Sequence, residues 1–239
     1  MSEVSPPEVR RTAVMAGLTV LAGAVDAVSF LTLGKVFCAL ATGNVLFLAF
    51  ALAGEGDVPV ARPAIAIGAF LVGIAVGTGA LERLQARRRP WFPLVLVCEA
   101  VLLALAGALA LWRHGTGSLS DEPDGAIVGM VAMAMGLRAA NALRAHVPGM
   151  PTLLSQMAFA ALIDDVVKRP RVTLRGLTGR ERLARGRWSA TVGGIFVGGV
   201  LGAVLLVPLG SGRALLVIAA LVLILAAASR LLPQGERPD

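Results

Sequence analysis

The chain has 239 residues, of which 56% are hydrophobic and only 15% charged, and its formal net charge is +7. Soluble domains carry about 25% charged residues, so a mean hydropathy of +0.79 leaves too little polar surface to solvate a globule. A free-standing soluble enzyme, a disordered chain and a disulfide-framed secreted domain are all excluded. What remains is an all-α integral membrane protein.

A bilayer core requires about 20 mostly apolar residues per crossing helix, and eight apolar segments follow one another along the chain. Residues 12–33 come first, behind Arg10 and Arg11, and carry Asp26. This stretch is too long for the core of a cleavable signal peptide, so it reads as a span. Residues 36–54 hold Thr42-Gly43-Asn44 at their middle, 63–81 contain Gly73 and Gly77, and 92–112 contain Glu99. The second four are 125–143 with Arg138 and Asn141, 147–163 opening on Pro148-Gly149-Met150-Pro151, 189–211 with Gly194, Gly198 and Gly202, and 214–232. Cys38 and Cys98 each lie inside an apolar run and read as small buried hydrophobes.

Charge decides which segments cross. The loop at 82–89 carries Arg83, Arg87, Arg88 and Arg89, and the loop at 164–187 is also rich in arginine. The loop between them, at 113–124, is acidic, with Asp121, Glu122 and Asp124. The positive-inside rule puts both basic loops in the cytoplasm. Three apolar segments separate these loops, an odd number, so one of the three must fail to span. The proline-broken 147–163 is the expected one, and 36–54 is its counterpart in the first half. Six crossings with both termini cytoplasmic are the simplest solution, and eight full spans are the alternative. The net charge of +7 thereby becomes a topology signal, and no nucleic-acid partner is expected.

The halves also repeat. Asp26-Ala27 matches Asn141-Ala142, each pair precedes a broken segment, and Phe70-Leu71-Val72-Gly73 matches Phe196-Val197-Gly198-Gly199. Three crossings per half make the second copy inverted, so two repeats are expected at 1–114 and 115–239. Paired interrupted segments in inverted repeats are a recurring plan of transporters.

The run Gly23-Ala24-Val25-Asp26-Ala27-Val28-Ser29-Phe30-Leu31, followed by Leu33-Gly34, Phe37 and Thr42-Gly43-Asn44, resembles the YoaK-like family of bacterial integral membrane proteins. That family is named as a domain of unknown function. The likeness covers nearly the whole chain and implies a multi-spanning inner-membrane protein with a transport-like role, without supplying a substrate. The second half departs from the family pattern. Arg138-Ala139-Ala140 leads to Asn141 where a glutamine is usual, and Ser155-Gln156 stand where a threonine-glycine pair is usual.

Five residues carry the chemistry. Asp26 lies inside an apolar segment, where a charge costs about 2.5–3.5 kcal/mol on insertion scales and faces a partner or cavity. It binds a coupling proton or cation, or it is an anchor held by Arg138, Thr42 or Asn44. Arg138 and Asn141 share a helical face, as a clamp for an anionic solute or as an ion pair with Asp26. Thr42 and Asn44 start a half-helix whose positive end suits an anion, or they satisfy a kink. Glu99 is expected to snorkel or to pair with the neighbouring arginines. Asp164-Asp165 read as the solvated end of a broken segment.

The Gly73, Gly77, Gly194, Gly198 and Gly202 spacings permit close helix approach, inside the chain or in a homodimer. Thr178-Gly179-Arg180-Glu181 is a capping box expected to start a short helix to about Arg187. Its basic surroundings fit anionic lipid headgroups. No motif for a cofactor, a metal, a P-loop or a catalytic pair is present, so no enzyme is expected. The leading reading is a small-solute secondary transporter or channel with an unknown solute; the other is a membrane scaffold or assembly partner.

Overall fold

A computed structural model describes residues 6–55, 59–115, 124–145, 155–168 and 178–230. Among these residues the regular elements are all helical: α1 (Pro6–Thr32), α2 (Ala41–Leu52), α3 (Ala61–Ala86), α4 (Trp91–Gly115), α5 (Gly125–Ala145), α6 (Ser155–Lys168) and α7 (Gly179–Ser229). Five of them, α1, α3, α4, α5 and α7, are long and apolar enough to cross a membrane. With 12 and 14 residues, α2 and α6 reach only about 18 and 21 Å at 1.5 Å per residue, short of a core about 30 Å thick. The opening of the second broken segment, 147–154, lies outside the described residues.

The capping box forms: Thr178 accepts from the Glu181 amide while the Glu181 side chain reaches back to the Thr178 backbone. The helix it starts does not stop near Arg187, however. It continues through the next two apolar segments to Ser229, interrupted only at Gly210, where φ is 70° and ψ 174°, two residues after Pro208. Proline removes a helical hydrogen bond, and a positive φ is cheap only for glycine, so this is where the two arms divide.

The arms run in opposite directions along α1. Going up the first arm, Gly194 meets Thr19, Gly198 meets Val20 and Gly202 meets Ala24, whereas far down the second arm Leu225 meets Gly17. The first arm is therefore parallel to α1 and the second comes back beside it. In the same way α3 lies parallel to α5, with Ile65 beside Gly125, Gly73 beside Met133 and Gly77 beside Ala140.

Glycine makes both parallel seams possible. A Cβ on Gly198 would stand 1.9 Å from the Val20 carbonyl oxygen, and one on Gly73 would stand 2.3 Å from that of Met133. Both obstacles are backbone, so any larger residue forces the helices apart. The facing helices answer in kind, since a Cβ on Gly23 or Gly136 would lie 2.4 Å from Ile195 O or 2.2 Å from Phe70 O. Lipid offers apolar side chains no hydrophobic gain over one another, and close packing of small residues supplies the attraction instead.

Met15, Leu18, Val25, Leu96, Leu103, Val131, Met135, Leu215 and Ile218 form the buried centre. The outside is equally apolar: Leu46, Phe50, Leu71, Phe196, Val200 and Val207 are all exposed. Such a coat is expected where lipid is the solvent. Cys38 is buried in this arrangement, but Cys98 is exposed on the outer surface of α4, contrary to expectation, because it stands beside Glu99 and so points away from the α4 face that turns inward.

Polar pairs mark the two ends of the bundle. At one end Arg187 bonds Glu8, Arg185 bonds Asp165 and Arg144 approaches Glu82. Asp165 is thus held in a pair rather than left to solvent, because α6 ends against the start of α7. At the other end the C-termini of α1 and α4, the start of α5 and the α7 break enclose a cavity of about 500 Å³ lined in part by Thr32, His114, Asp124, Gly210 and Arg213.

Candidate functional site

Two polar centres lie inside this apolar bundle. The first is built around the chain reversal that follows α1. Gly34 and Lys35 take positive φ values of 90° and 58°, and the chain then doubles back along α1 instead of leaving it. Asp26 sits six residues before the end of α1 and Ala39 seven after it, so the reversal returns Ala39 to the level of Asp26.

Residues 36–40 are not helical, and their amides need partners at membrane depth, where an unsatisfied peptide group costs several kcal/mol. Asp26 supplies them. Its Oδ1 accepts from the Ala39 amide at 2.7 Å and its Oδ2 from the Leu40 amide at 3.1 Å. Asn44 does the same for Phe37, accepting from its amide at 2.9 Å and donating to its carbonyl. Phe37 in turn stacks on Phe30, with ring centroids 4.8 Å apart. The hydroxyls of Thr19, Ser29 and Thr32 return to carbonyls one turn earlier in α1, which satisfies them without a partner helix.

Leu40 immediately precedes α2, so the Asp26 carboxylate occupies the positive end of that half-helix, where an anion is favoured. The anion expected at this helix start is thus a residue of the protein itself. Of the two residues read as beginning the half-helix, Asn44 is buried at the reversal and Thr42 is exposed on the flank.

The second centre joins α4 to α5. Arg138 donates to Glu99 from one terminal nitrogen, and from the other to the Leu18 carbonyl of α1 at 2.8 Å. Asn141, one turn further along α5, donates to the Phe92 carbonyl at 3.2 Å. Glu99 and Arg138 are 0% and 1% exposed, so Glu99 neither snorkels nor meets the arginines of the neighbouring loop. Antiparallel packing explains the pairing. Glu99 lies 16 residues before Gly115 and Arg138 13 residues after Gly125, which sets them at similar depth on either side of the α4–α5 connection. The spacing of both residues from the α4–α5 connection is visible in the sequence, but only the contact of α4 with α5 turns it into a pairing.

Arg138 is therefore committed to Glu99, and the alternative ion pair with Asp26 does not form. Leu18, which Arg138 touches, is eight residues from Asp26, or about 12 Å along the helix axis. Four of the five sequence-derived residues fall into two sets, Asp26 with Asn44 and Arg138 with Asn141, rather than lining one chamber, and the exposed Thr42 belongs to neither. Three atoms in the second set, Glu99 Oε2, Arg138 Nε and Asn141 Oδ1, are buried without a protein partner. Among the described residues no cluster of three or more His, Cys, Asp or Glu side chains is arranged to hold a metal ion.

Chemically, the first centre is a carboxylate whose described hydrogen bonds come only from the backbone. The second is a neutralised pair with spare hydrogen-bonding capacity.

No solved structure matches this chain. It is 26% identical over 162 residues to the UPF0700 transmembrane protein YoaK of Bacillus subtilis (strain 168), an alignment that covers 66% of this chain and 68% of that protein. A family model described as "Protein of unknown function (DUF1275)" matches residues 14–228. With nearly its whole length inside that match, the chain belongs to the DUF1275 family of multi-pass membrane proteins, as the resemblance carried by Asp26, Ser29, Phe30 and Thr42-Gly43-Asn44 implies.

Proposed function

We propose that this protein is a small-solute secondary transporter or channel of the bacterial cytoplasmic (inner) membrane, without enzymatic activity. The observation that carries the reading is the reversal at residues 34–40, an irregular segment held at membrane depth by a buried carboxylate. Non-helical backbone survives there only where protein or a water-filled cavity covers it, and half-helices that begin at such breaks line the sites of transporters.

The architecture fits two inverted repeats, 1–114 and 115–239. In the first, α1 rests on the first arm of α7, and in the second α5 rests on α3; Gly23 facing Gly199 and Gly136 facing Gly73 occupy corresponding places. Each half-helix lies on the repeat's next long helix, α2 on α3 and α6 on α7. Counting the α7 arms separately gives six crossings. This count brings the start of α1, both basic loops and the end of α7 to one side, which the positive-inside rule makes the cytoplasm. There the arginines of the 164–187 stretch other than Arg185 and Arg187, which are bonded to Asp165 and Glu8, meet anionic lipid headgroups.

The competing scaffold reading needs free glycine faces for a homodimer or a partner. Gly73, Gly77, Gly194, Gly198 and Gly202 instead press against helices of their own chain, which favours transport.

The test is flux. Proteoliposomes loaded with a pH-sensitive dye are exposed to a panel of small amines, carboxylates and neutral polyols. Uptake above that of empty liposomes, lost in Asp26→Asn protein that still inserts and stays monodisperse, is the expected result. Absence of flux across the panel, together with labelling of a cysteine at Gly54 from the cytoplasmic side, would overturn both the activity and the topology.

A further inference from the structure

The outer face of α3 changes character along its length. Val72 and Val76 are 52% and 50% exposed, and a Cβ on Gly79 would meet nothing within 4 Å. Arg83 and Arg87 continue the same stripe and are exposed as well, because side chains three and four residues apart share a helical face. Arg87 caps α3, and Arg88 follows with φ 52°, a left-handed conformation that helix ends usually leave to glycine. The Arg88 and Arg89 amides return to the carbonyls of Gln85 and Leu84, so the backbone of this turn is satisfied from within.

We infer that this stripe binds an anionic phospholipid, its phosphate on Arg83 and Arg87 and its acyl chains along Gly79, Val76 and Val72. Three features select that occupant. The first is free charge: among the described residues no side-chain ion pair or hydrogen bond engages Arg83, Arg87, Arg88 or Arg89. The acid nearest in sequence, Glu82, is turned to Arg144 of α5 at 3.9 Å. Two guanidinium groups one turn apart match the oxygens of a phosphodiester. The second is depth. Trp91 opens α4 just after these arginines, edge-on to Phe92, and an indole at the end of a span settles at the headgroup level. The third is shape: Val76 lies seven residues before Arg83, about 10 Å along the axis, so charge and apolar wall are joined as they are in a phospholipid. Free phosphate uses none of that wall, and a zwitterionic phospholipid brings an ammonium group that the arginines repel.

This surface is separate from Asp26 and from the Glu99–Arg138 pair. It requires only that α3 meet lipid, so it stands or falls independently of the transport reading. Arg10 and Arg11 at the start of α1 carry the same charge as Arg83 and Arg87, but adjacent residues diverge by about 100° around a helix and cannot form such a stripe.

The full chain in dodecyl maltoside micelles is titrated with pyrene-labelled phosphatidylglycerol. Saturable binding is expected, weakened about twenty-fivefold when Arg83→Gln and Arg87→Gln are combined, at about fivefold for each arginine beside an anionic headgroup. Arg10→Gln combined with Arg11→Gln removes the same charge and should leave binding unchanged. Gly79→Phe keeps every charge and meets no neighbour, yet it obstructs the path of the acyl chains and should weaken binding as well. Unlabelled phosphatidylglycerol should displace the probe, whereas phosphatidylcholine with the same chains, or inorganic phosphate at matched ionic strength, should not. No saturable binding, equal weakening by the two double variants, undiminished binding to the Gly79→Phe protein, or displacement by phosphatidylcholine or inorganic phosphate overturns the inference.

Discussion

Asp26 and Glu99 pose the same physical problem, an acidic side chain inside an apolar helix, and the molecule resolves it in two ways. Glu99 meets a guanidinium on the neighbouring helix, and the pair is neutral. Asp26 meets two backbone amides at the start of a half-helix and forms no ion pair with Arg138, which is bound to Glu99. The first arrangement ties α4, α5 and α1 together through Arg138. The second shapes the irregular segment between α1 and α2 and puts an acid at the edge of a groove. A buried ion pair is poor evidence for function, since well-packed apolar residues often replace one at no cost to stability. A carboxylate that organises irregular backbone has no such apolar substitute, and that asymmetry places the functional proposal at Asp26.

The largest effect should come from breaking the pair on one side only. Arg138→Met leaves Glu99 buried without its cation, and removing one partner of a buried pair costs about 3–5 kcal/mol. Denaturant unfolding in micelles should show this loss, and Glu99→Gln added to Arg138→Met should recover most of it. Equal destabilisation by the single and double variants would mean that Glu99 is not the partner of Arg138.

Asp26→Asn should cost less, about 1–3 kcal/mol, because one acceptor oxygen remains while one amide loses its charged partner. Its signature is local: amide exchange at Ala39 and Leu40 should accelerate while α4 and α5 keep their protection. Uniform acceleration along the chain would erase the distinction between the two centres.

The seam that carries Asp26 can be probed with neighbouring glycines. Gly198→Ala pushes a methyl into the Val20 carbonyl and should cost about 1–3 kcal/mol as overpacking, whereas Gly199→Ala meets open space and should be neutral or slightly stabilising through helix propensity. The smallest effect belongs to the end of the bundle. Arg185→Ala removes the pair with Asp165 and should cost about 1 kcal/mol or less, diminishing in high salt.

Much of this was legible in the sequence. Composition alone specified a membrane protein, and the apolar segments at 12–33, 63–81, 92–112 and 125–143 lie almost wholly inside α1, α3, α4 and α5, because a long apolar run in lipid must close its own hydrogen bonds as a helix. The shortness of the helix in 36–54 follows from the same rule applied to a segment broken early. The reach of α7 was not legible, since two apolar segments joined by Pro208-Leu209-Gly210 read as separate spans, whereas helix resumes directly after Gly210.

The partners of the buried charges belong to tertiary structure. Arg138 could have met either acid by composition alone, and only the antiparallel contact of α4 with α5 assigns it to Glu99. Likewise the Thr42-Gly43-Asn44 motif marked a helix start, but the direction in which the chain reverses at Gly34 decides that Asp26 fills the site there. The sequence by itself determined which segments avoid water and that charges inside them need partners, because transfer from water to lipid depends on each residue's own chemistry. The structure alone decided which partner each charge takes, because that depends on helix direction and depth, set by where glycines allow two backbones to touch.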